Sequence, residues 1–172
     1  MEFKIVLASR DDISEIIAID RLTCKEIVDS DWYSNDCVNR EFLNYLIEEA
    51  GFVVKAVCNN QIVGFGMAEV KLDSGTSPAF LLHLNDNISL CGEIDNILVL
   101  PGYRGYGLQR KIMRCLEEKF LSDTSVEILY VTVHPDNIYS LDNCLTLGYQ
   151  EVMEVSLYGG KRRMVLKKRI RV

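Results

Sequence analysis

The chain has 172 residues, of which 48% are apolar and 26% charged, and its formal net charge is −6. These values predict one globular domain with a sizeable core. No apolar run approaches the roughly 20 residues that span a bilayer, and the N-terminus lacks the basic and then apolar pattern of a signal peptide. The six cysteines are dispersed without Cys-x-x-Cys spacing. We therefore expect a cytoplasmic protein with free thiols, no metal site and no membrane association.

The first half of the chain is predicted to combine strands with two helices. Ser14 or Asp11 can cap the first helix, and Gly51 suits a left-handed cap after the second. The predicted elements are a strand at 3–8, a helix that begins at 11 and includes 24, a helix at about 37–49, and a hairpin of strands 52–58 and 62–72. Residues 73–92 read as a loop with a short strand or a turn of helix near 80–84.

The second half shows clearer patterns, which predict a mixed α/β sheet. The strand–helix–strand unit from 94 to 133 favours a parallel crossover, whereas the flanking hairpins are antiparallel. Gly159-Gly160 marks the last hairpin. The predicted elements are a strand at 94–100, a helix at 106–121, a strand at 126–133, a helix at 137–147, and strands at 149–158 and 163–170.

The charge is unevenly distributed along the chain. Residues 161–172 carry seven basic groups and no acid, whereas the rest carries 12 basic and 25 acidic groups. An acidic body disfavours nucleic-acid binding and suits a cationic small substrate, although solubility alone also explains it. The basic segment could be a nucleic-acid arm, but its apolar residues favour a final strand with solvated charges. We expect no nucleic-acid partner.

The most informative segment runs from Val99 to Gln109. A strand is followed by a Pro-Gly turn and by Arg104-Gly105-Tyr106-Gly107, and a helical pattern starts there without a spacer. Glycines let a ligand approach the backbone, the first amides of a helix lack partners, and Arg104 adds positive charge. This predicts a pyrophosphate cradle, with a ligand-free connector as the alternative. The P-loop pattern is excluded because no Lys-Ser or Lys-Thr follows, and the dinucleotide fingerprint because Arg110 replaces its third glycine.

Two motifs resemble those of the GNAT superfamily of acyl-CoA-dependent N-acyltransferases. The first family motif, [QR]-x-x-G-x-[GA] on a strand–loop–helix, is matched by Arg104-x-x-Gly107-x-Gln109. The second has an asparagine soon after the next strand, a small residue three positions later and Gly-[FY] at the helix end. Asn137, Ser140 and Gly148-Tyr149 match it. The resemblance covers residues 93–158, and the N-terminal half agrees in element order.

The resemblance implies one GNAT-like α/β domain over residues 1–172, with a mixed central sheet and about four helices. The parallel strands at 94–100 and 126–133 would splay apart after a bulge, and the pantetheine arm of acetyl-CoA would lie in the gap. Acetyl-CoA is thus the implied cosubstrate, and no metal is implied. By resemblance, the residues that bind it are Ile97, Leu98, Val99, Arg104, Gly105, Tyr106, Gly107, Leu108, Gln109, Arg110, Asn137 and Ser140.

The resemblance also implies direct attack of an amine on the thioester, with a carboxylate as the usual proton acceptor. Glu93 and Asp95 are candidate bases because they share one face of the strand at the thioester site, with Asp95 nearer the gap. Solvated carboxylates, or a cap for a neighbouring loop, are the alternative. Many members have a tyrosine acid seven residues after the motif asparagine, where this chain has Cys144. Cys144 either protonates the leaving thiolate or is simply packed, and Tyr139 and Tyr149 are alternative acids.

Some residues carry weaker signals. Gln109 stands where the family has Gly or Ala, so its side chain must turn away from the pyrophosphate or add a donor. His134 precedes a proline, which favours a role in a turn over catalysis, and His83 has no partner in the sequence. Three aromatic residues in the helical region could line an acceptor pocket or pack in the core. They are Trp32, Tyr33 and Tyr45.

We therefore expect an N-acetyltransferase that acts on a primary amine of a small molecule or peptide, with a cationic acceptor favoured. Three alternatives stay open. The same fold could use another acyl-CoA, or it could be a non-catalytic CoA-binding or regulatory module, which the cysteine at position 144 keeps open. The third is a nucleic-acid binder that acts through residues 161–172. The resemblance also allows a homodimer.

Overall fold

A seven-stranded mixed sheet forms the centre of the computed structural model, which describes residues 1–26, 30–33, 38–70, 72, 77–82, 84 and 86–171. The strands are β1 (Lys4–Leu7), β2 (Gly51–Cys58), β3 (Gln61–Glu69), β4 (Cys91–Val99), β5 (Ile128–Val133), β6 (Gln150–Leu157) and β7 (Lys161–Arg169). Their spatial order is β1-β2-β3-β4-β5-β7-β6. Only β4 and β5 pair in parallel, which confirms the predicted mixed sheet.

Helices cover both faces of the sheet. They are α1 (Ile13–Glu26), α2 (Arg40–Tyr45), α3 (Pro78–Leu81), α4 (Leu108–Asp123) and α5 (Ile138–Thr146). A wider π turn, Leu46–Ala50, continues α2. In the described part of the chain, four helices are longer than one turn, as predicted, and α3 is the turn of helix that we expected near residue 80.

Two hydrophobic layers hold the helices against the sheet. On one face, Ile112, Leu116 and Phe120 of α4 pack against β2, β4 and β5. On the other face, Ile16 of α1 and Leu43 of α2 pack against residues of β2 and β3. The alternation of side chains along each strand supplies both layers. The result is a three-layer α/β domain with the sheet in the middle.

Some element boundaries differ from the sequence predictions. Helix α4 begins at Leu108 instead of residue 106, because Gly107 has a left-handed φ of +69° and caps the helix. Strand β4 begins at Cys91, which we wrongly assigned to a loop, because it pairs with Ile128 in a distant part of the chain. The rest of the predicted 73–92 loop includes α3 and the 3₁₀ turn Ile88–Leu90, while residues 73–76, 83 and 85 lie outside the described residues.

The parallel strands separate soon after they pair. Registered pairs join β4 and β5 only from Cys91–Ile128 to Glu93–Tyr130. Just beyond, the pairing of β4 with β3 shifts by one residue, because Ala68 pairs with Ile94 but Gly66 with Ile97. Such a bulge bends a strand and re-aims its side chains. The predicted splay after a bulge is therefore confirmed.

Candidate active site

The splay opens a cleft of about 1630 Å³ that runs from the start of α4 to the side of the sheet covered by α1 and α2. The residues that we predicted to bind acetyl-CoA line this cleft, with the exception of Tyr106. The three candidate catalytic residues, Glu93, Asp95 and Cys144, line it as well. Three lining residues that the sequence analysis did not single out are Glu69, Tyr158 and Arg163.

The glycine loop presents a row of open backbone amides to the cleft. Gly105 (φ +84°) and Gly107 (φ +69°) both have left-handed conformations, which glycine adopts without strain. The Arg104 amide donates to the Pro101 carbonyl at 3.2 Å, so it is not one of the open amides. Within the described residues, the amides of 105–110 donate to no backbone carbonyl. Six amides at the positive end of α4 therefore remain to hold an anion.

Contacts outside the amide row hold two side chains of the loop, those of Arg104 and Tyr106. Arg104 donates from Nε to the Val99 carbonyl at 3.2 Å, which holds its guanidinium at the end of β4. Tyr106 packs on Phe3, with ring centroids 5.4 Å apart, and is not among the residues that line the cleft. Tyr103 contacts the same ring at 6.4 Å. The N-terminal residues thus support the loop from outside.

The Gln109 side chain turns away from the amide row. The sequence analysis had left open whether it would turn away or add a donor there. Its Nε2 donates to Ser140 Oγ at 2.7 Å, and its Oε1 accepts from Asn143 Nδ2 at 2.8 Å. Asn137 caps α5, because its Oδ1 accepts from the Ser140 amide at 3.2 Å. The two predicted residues on α5 are thus fixed at the cleft edge by local hydrogen bonds, and Gln109 ties α5 to the start of α4.

Three acidic residues lie together at the other end of the cleft. Glu93 is 6% exposed and pairs across the sheet with Glu69, a residue that local sequence patterns could not connect to it. Burial raises the pKa of the Glu93 carboxyl well above its usual range, and the nearby charges of Asp95 and Glu69 raise it further. Contacts with the Ser77 and Tyr158 hydroxyls oppose this rise in part. Glu93 therefore keeps its proton to a higher pH than an ordinary glutamate does.

The candidate proton donors differ in burial. Cys144 is buried, and burial followed by the Glu117 charge raises the pKa of its thiol to about 12. Tyr149 is buried beside Glu117 and does not line the cleft, and its pKa is raised well above the usual range by burial. Tyr139 lines the cleft and is 77% exposed. No tyrosine of this set occupies the position of the family acid.

Aromatic residues and buried polar groups line the acidic end of the cleft. Trp32, Tyr33 and Tyr45 line it, and Tyr33 also packs against the core layer formed with α1 and α2. Trp32 stacks on His134 at 5.9 Å, and the His134 Nδ1 accepts from the Asp136 amide at 3.2 Å, which fits the expected turn. His83 lies outside the described residues.

The basic segment forms β7, as predicted, but its charges are not all solvated. Arg163 is only 3% exposed and lines the cleft. Its Nη1 donates to the carbonyls of Asp31 and Arg162, both at 2.7 Å. Lys161 donates to the Tyr33 carbonyl at 2.8 Å. The prediction of solvated charges is therefore wrong for Arg163, because its position beyond the end of β5 turns it into the cleft.

Three further findings concern membrane spans, metal ligands and thiols. In the described part of the chain, no helix is both long enough and apolar enough to cross a bilayer. No group of three or more His, Cys, Asp or Glu side chains there could hold a metal ion. Cys58, Cys91, Cys115 and Cys144 are free thiols.

Comparison with solved structures shows the same fold in acetyltransferases. A putative acetyltransferase from Salmonella typhimurium, solved with acetyl-CoA, has a TM-score of 0.74 and 14% identity, covering 100% of this chain and 96% of its own. An N-acetyltransferase from Staphylococcus aureus Mu50 has a TM-score of 0.75 and 13% identity, covering 99% and 100%. The aminoglycoside acetyltransferase AAC(6')-Ib, in complex with coenzyme A and kanamycin, has a TM-score of 0.70 and 18% identity, covering 98% and 95%.

The comparison of sequences points the same way. A search of curated proteins finds no match. The model of the acetyltransferase (GNAT) family, however, matches residues 19–149, which include the glycine loop, both parallel strands and α5. This chain therefore belongs to the acetyltransferase (GNAT) family.

Proposed function

We propose that this protein transfers the acetyl group of acetyl-CoA to a primary amine. The observation that carries the proposal is the cleft between β4 and β5, which reaches the open amides at the start of α4. A diphosphate fits such a row, because unpaired amides at a helix N-terminus bind anions. The acetyl-CoA and coenzyme A in the structures of the family relatives support the same choice of ligand.

The residues proposed to hold the coenzyme follow the cleft from the amide row to the strands. The amides of 105–110 would bind the diphosphate, and the Arg104 guanidinium would add positive charge beside it. Among the described residues, no strand pairs with the edge of Ile97–Val99 that faces β5, so the backbone there can bond the pantetheine arm. Asn137 and Ser140 would contact the same arm from the start of α5.

Glu93 is the proposed proton acceptor. A free alkylamine has a pKa near ~10.4, so the acceptor amine must lose a proton before it attacks. A carboxyl whose pKa is raised is a stronger base than an ordinary one once it is ionised, which favours Glu93 over Asp95. Asp95 and Glu69 add negative charge that attracts the ammonium form to this end of the cleft.

In the proposed reaction, the amine nitrogen forms a bond to the acetyl carbon and the thioester C–S bond breaks. The ammonium first gives one proton to Glu93, directly or through water, and Glu93 releases it to solvent. Once the C–N bond has formed, the nitrogen loses its second proton, through Glu93 or water, to the departing thiolate, so that an amide and free coenzyme A result. Cys144 is a poor acid for this thiolate, because its pKa of about 12 exceeds the ~8.5 of an ordinary thiol. We therefore assign Cys144 to packing and propose no dedicated acid.

The amide row can be tested by coenzyme binding alone. Thermal unfolding would be measured with and without acetyl-CoA, since a ligand at 100 times its Kd stabilises the folded state by about 2.7 kcal/mol. Gly107→Glu should abolish the shift, because it places charge and bulk in the row and forces a side chain into φ +69°. Gly159→Glu is the matched control, since Gly159 has φ +79° and open space but lies in the β6–β7 hairpin. A full shift in Gly107→Glu would contradict the proposed cradle.

Turnover decides between an enzyme and a binding module. Release of free thiol from acetyl-CoA would be followed with a panel of primary amines, and other acyl-CoAs would be compared with the same acceptors. We expect acetyl-CoA to turn over with at least one amine. Coenzyme binding without turnover of any amine would favour the non-catalytic module.

A further inference from the structure

Arg163 is a buried cation that the coenzyme site does not use. Its side chain is 3% exposed and lies at the acidic, aromatic end of the cleft, away from the amides of 105–110. Its hydrogen bonds in the described part of the chain come from Nη1 alone, to two neutral backbone carbonyls. No carboxylate of that part forms an ion pair with it, and Asp31 acts on it only at longer range.

One edge of the Arg163 guanidinium, formed by Nε and Nη2, makes no hydrogen bond to the described residues. Burial of a charge is costly unless a counter-charge or full hydrogen bonding compensates for it. Nη1 bonds the two carbonyls, and the described residues offer no acceptor for Nε and Nη2. Two adjacent N–H groups on a planar guanidinium match the two oxygens of a carboxylate. The cleft therefore contains a preformed place for an anionic group.

Tyr158 connects this cation to the proposed base. The Arg163 Cζ lies 5.8 Å from the Tyr158 ring centroid. The hydroxyl at the other end of the same ring contacts the Glu93 carboxyl and lies 3.4 Å from Thr132 Oγ1. An acceptor that bridges Arg163 and Glu93 thus needs to extend only about as far as one tyrosine side chain. That length corresponds to a small molecule with both charged groups close together.

We propose that the acceptor is a free amino acid, whose carboxylate is bound by Arg163 and whose amine is directed to Glu93. This inference rests on the proposed acetyl transfer and adds the acceptor class. The two charged groups of the pocket then have complementary partners in one ligand. Glu69 and Asp95 disfavour acceptors with additional carboxylates, because like charges repel at close range.

A purely structural role of Arg163 is the competing explanation. The bonds from Nη1 to Asp31 and from Lys161 to Tyr33 both fasten residues 30–33 to β7. That role uses one nitrogen of Arg163 and is shared with Lys161. A structural role predicts that a change of Arg163 lowers kcat/KM equally for all acceptors. Carboxylate binding instead predicts a loss of kcat/KM that is confined to acceptors with a carboxylate.

The experiment measures kcat/KM for matched acceptors with acetyl-CoA. The panel contains the twenty common amino acids, β-alanine and γ-aminobutyrate, the carboxamide of each, and putrescine and spermidine as acceptors without a carboxylate. We expect at least one amino acid to exceed its own amide by tenfold or more. Arg163→Gln should bring this ratio close to one by raising KM for the acid, and Arg163→Lys should restore it only in part, because lysine lacks the planar fork.

Controls separate this inference from the proposed function. Arg162→Gln changes the neighbouring, exposed arginine and should keep the acid-to-amide ratio of the wild type. The thermal shift with acetyl-CoA should be unchanged in Arg163→Gln, which shows that the variant is folded and that the coenzyme site is intact. Absence of this shift in the wild type would instead overturn the proposed function itself.

Three results would overturn the inference while the acetyl-CoA shift persists. The wild type could use amides or polyamines as well as amino acids, or it could turn over no amino acid at all. Arg163→Gln could also reduce kcat/KM for acids and amides by the same factor, which would establish the structural role.

Discussion

Gln109 Nε2 donates a hydrogen bond of 2.7 Å to Ser140 Oγ, which ties the first turn of α4 to the first turn of α5 beside the cleft. The Gln109 Oε1 accepts from Asn143 at 2.8 Å, so both polar ends of the carboxamide are used. In the family, this position is usually Gly or Ala, which has no side-chain group that could form such a bond. The two helix starts that flank the proposed coenzyme site are therefore coupled in this chain by one side chain.

Gln109→Ala should weaken coenzyme binding without abolishing it. A half-buried hydrogen bond contributes about 1 kcal/mol, so loss of the tie should raise the acetyl-CoA Kd by about threefold to tenfold. Calorimetric titration measures this change. Asn143→Ala removes only the second bond and should have a smaller effect. An unchanged Kd together with a lower Tm would mean that the tie serves stability alone.

The local features of this site could be predicted from sequence because their causes are local. Gly105 and Gly107 adopt left-handed conformations that other residues disfavour, and Asn137 caps the helix that follows it. Each depends on a few neighbouring residues. The glycine hairpin at 159–160 is of the same kind, since both residues have positive φ.

The sequence analysis did not single out Glu69 or Arg163, because their positions depend on strand register and on contacts between distant segments. Glu69 meets Glu93 only because β3 and β4 pair in a register that a bulge then shifts. Arg163 looks like one of seven similar basic residues in sequence, yet its place beyond the end of β5 buries it beside residues 30–33. A one-residue slip would reverse the face of either side chain, so a local pattern cannot decide it.

Cys144→Ala should leave turnover nearly unchanged. Burial raises the thiol pKa to about 12, so the thiol stays protonated and is a poor donor to a coenzyme thiolate. We expect kcat/KM within about threefold of the wild type and a stability loss of about 1–2 kcal/mol, typical of a buried site. Cys58→Ala, at another buried cysteine outside the cleft, is the matched control. A fall in kcat of about 100-fold for Cys144→Ala alone would assign it the acid role.

Phe3→Ala should remove the aromatic packing that supports the glycine loop. The Phe3 ring contacts Tyr106 at 5.4 Å and Tyr103 at 6.4 Å, and the Lys111 ammonium lies 5.5 Å from its centroid. Aromatic pairs contribute about 0.5–1.5 kcal/mol each, so the variant should unfold at lower temperature and bind acetyl-CoA more weakly. Val6→Ala, at an exposed residue of the strand β1 that follows Phe3, should change neither the unfolding temperature nor acetyl-CoA binding. Equal coenzyme Kd in both variants would show that the loop holds its shape without Phe3.

Glu93→Gln should lower activity while it leaves coenzyme binding intact. Glutamine keeps the size of the side chain but cannot accept the amine proton, and loss of a general base costs about 10²–10⁴ in rate. In the wild type, kcat/KM should rise with pH through an apparent pKa well above the usual carboxyl range, since burial and neighbouring carboxylates raise the pKa of Glu93. Glu151→Gln changes an exposed glutamate of β6 and should keep the wild-type pH profile. Retained activity in Glu93→Gln would transfer the role to Asp95.

The same substitution should also change how stability depends on pH. The folded state of the wild type holds the Glu93 proton to a higher pH than the unfolded chain, because its pKa is raised in the folded state. Between the unfolded and folded pKa values the folded state binds more protons, so stability falls as pH rises through that window. Glu93→Gln has no such proton to lose, so its Tm should gain on that of the wild type as the pH rises above the ordinary carboxyl range. A constant difference in Tm over this rise in pH would mean that Glu93 is ionised at its ordinary pKa, which would remove the reason to prefer it as the base.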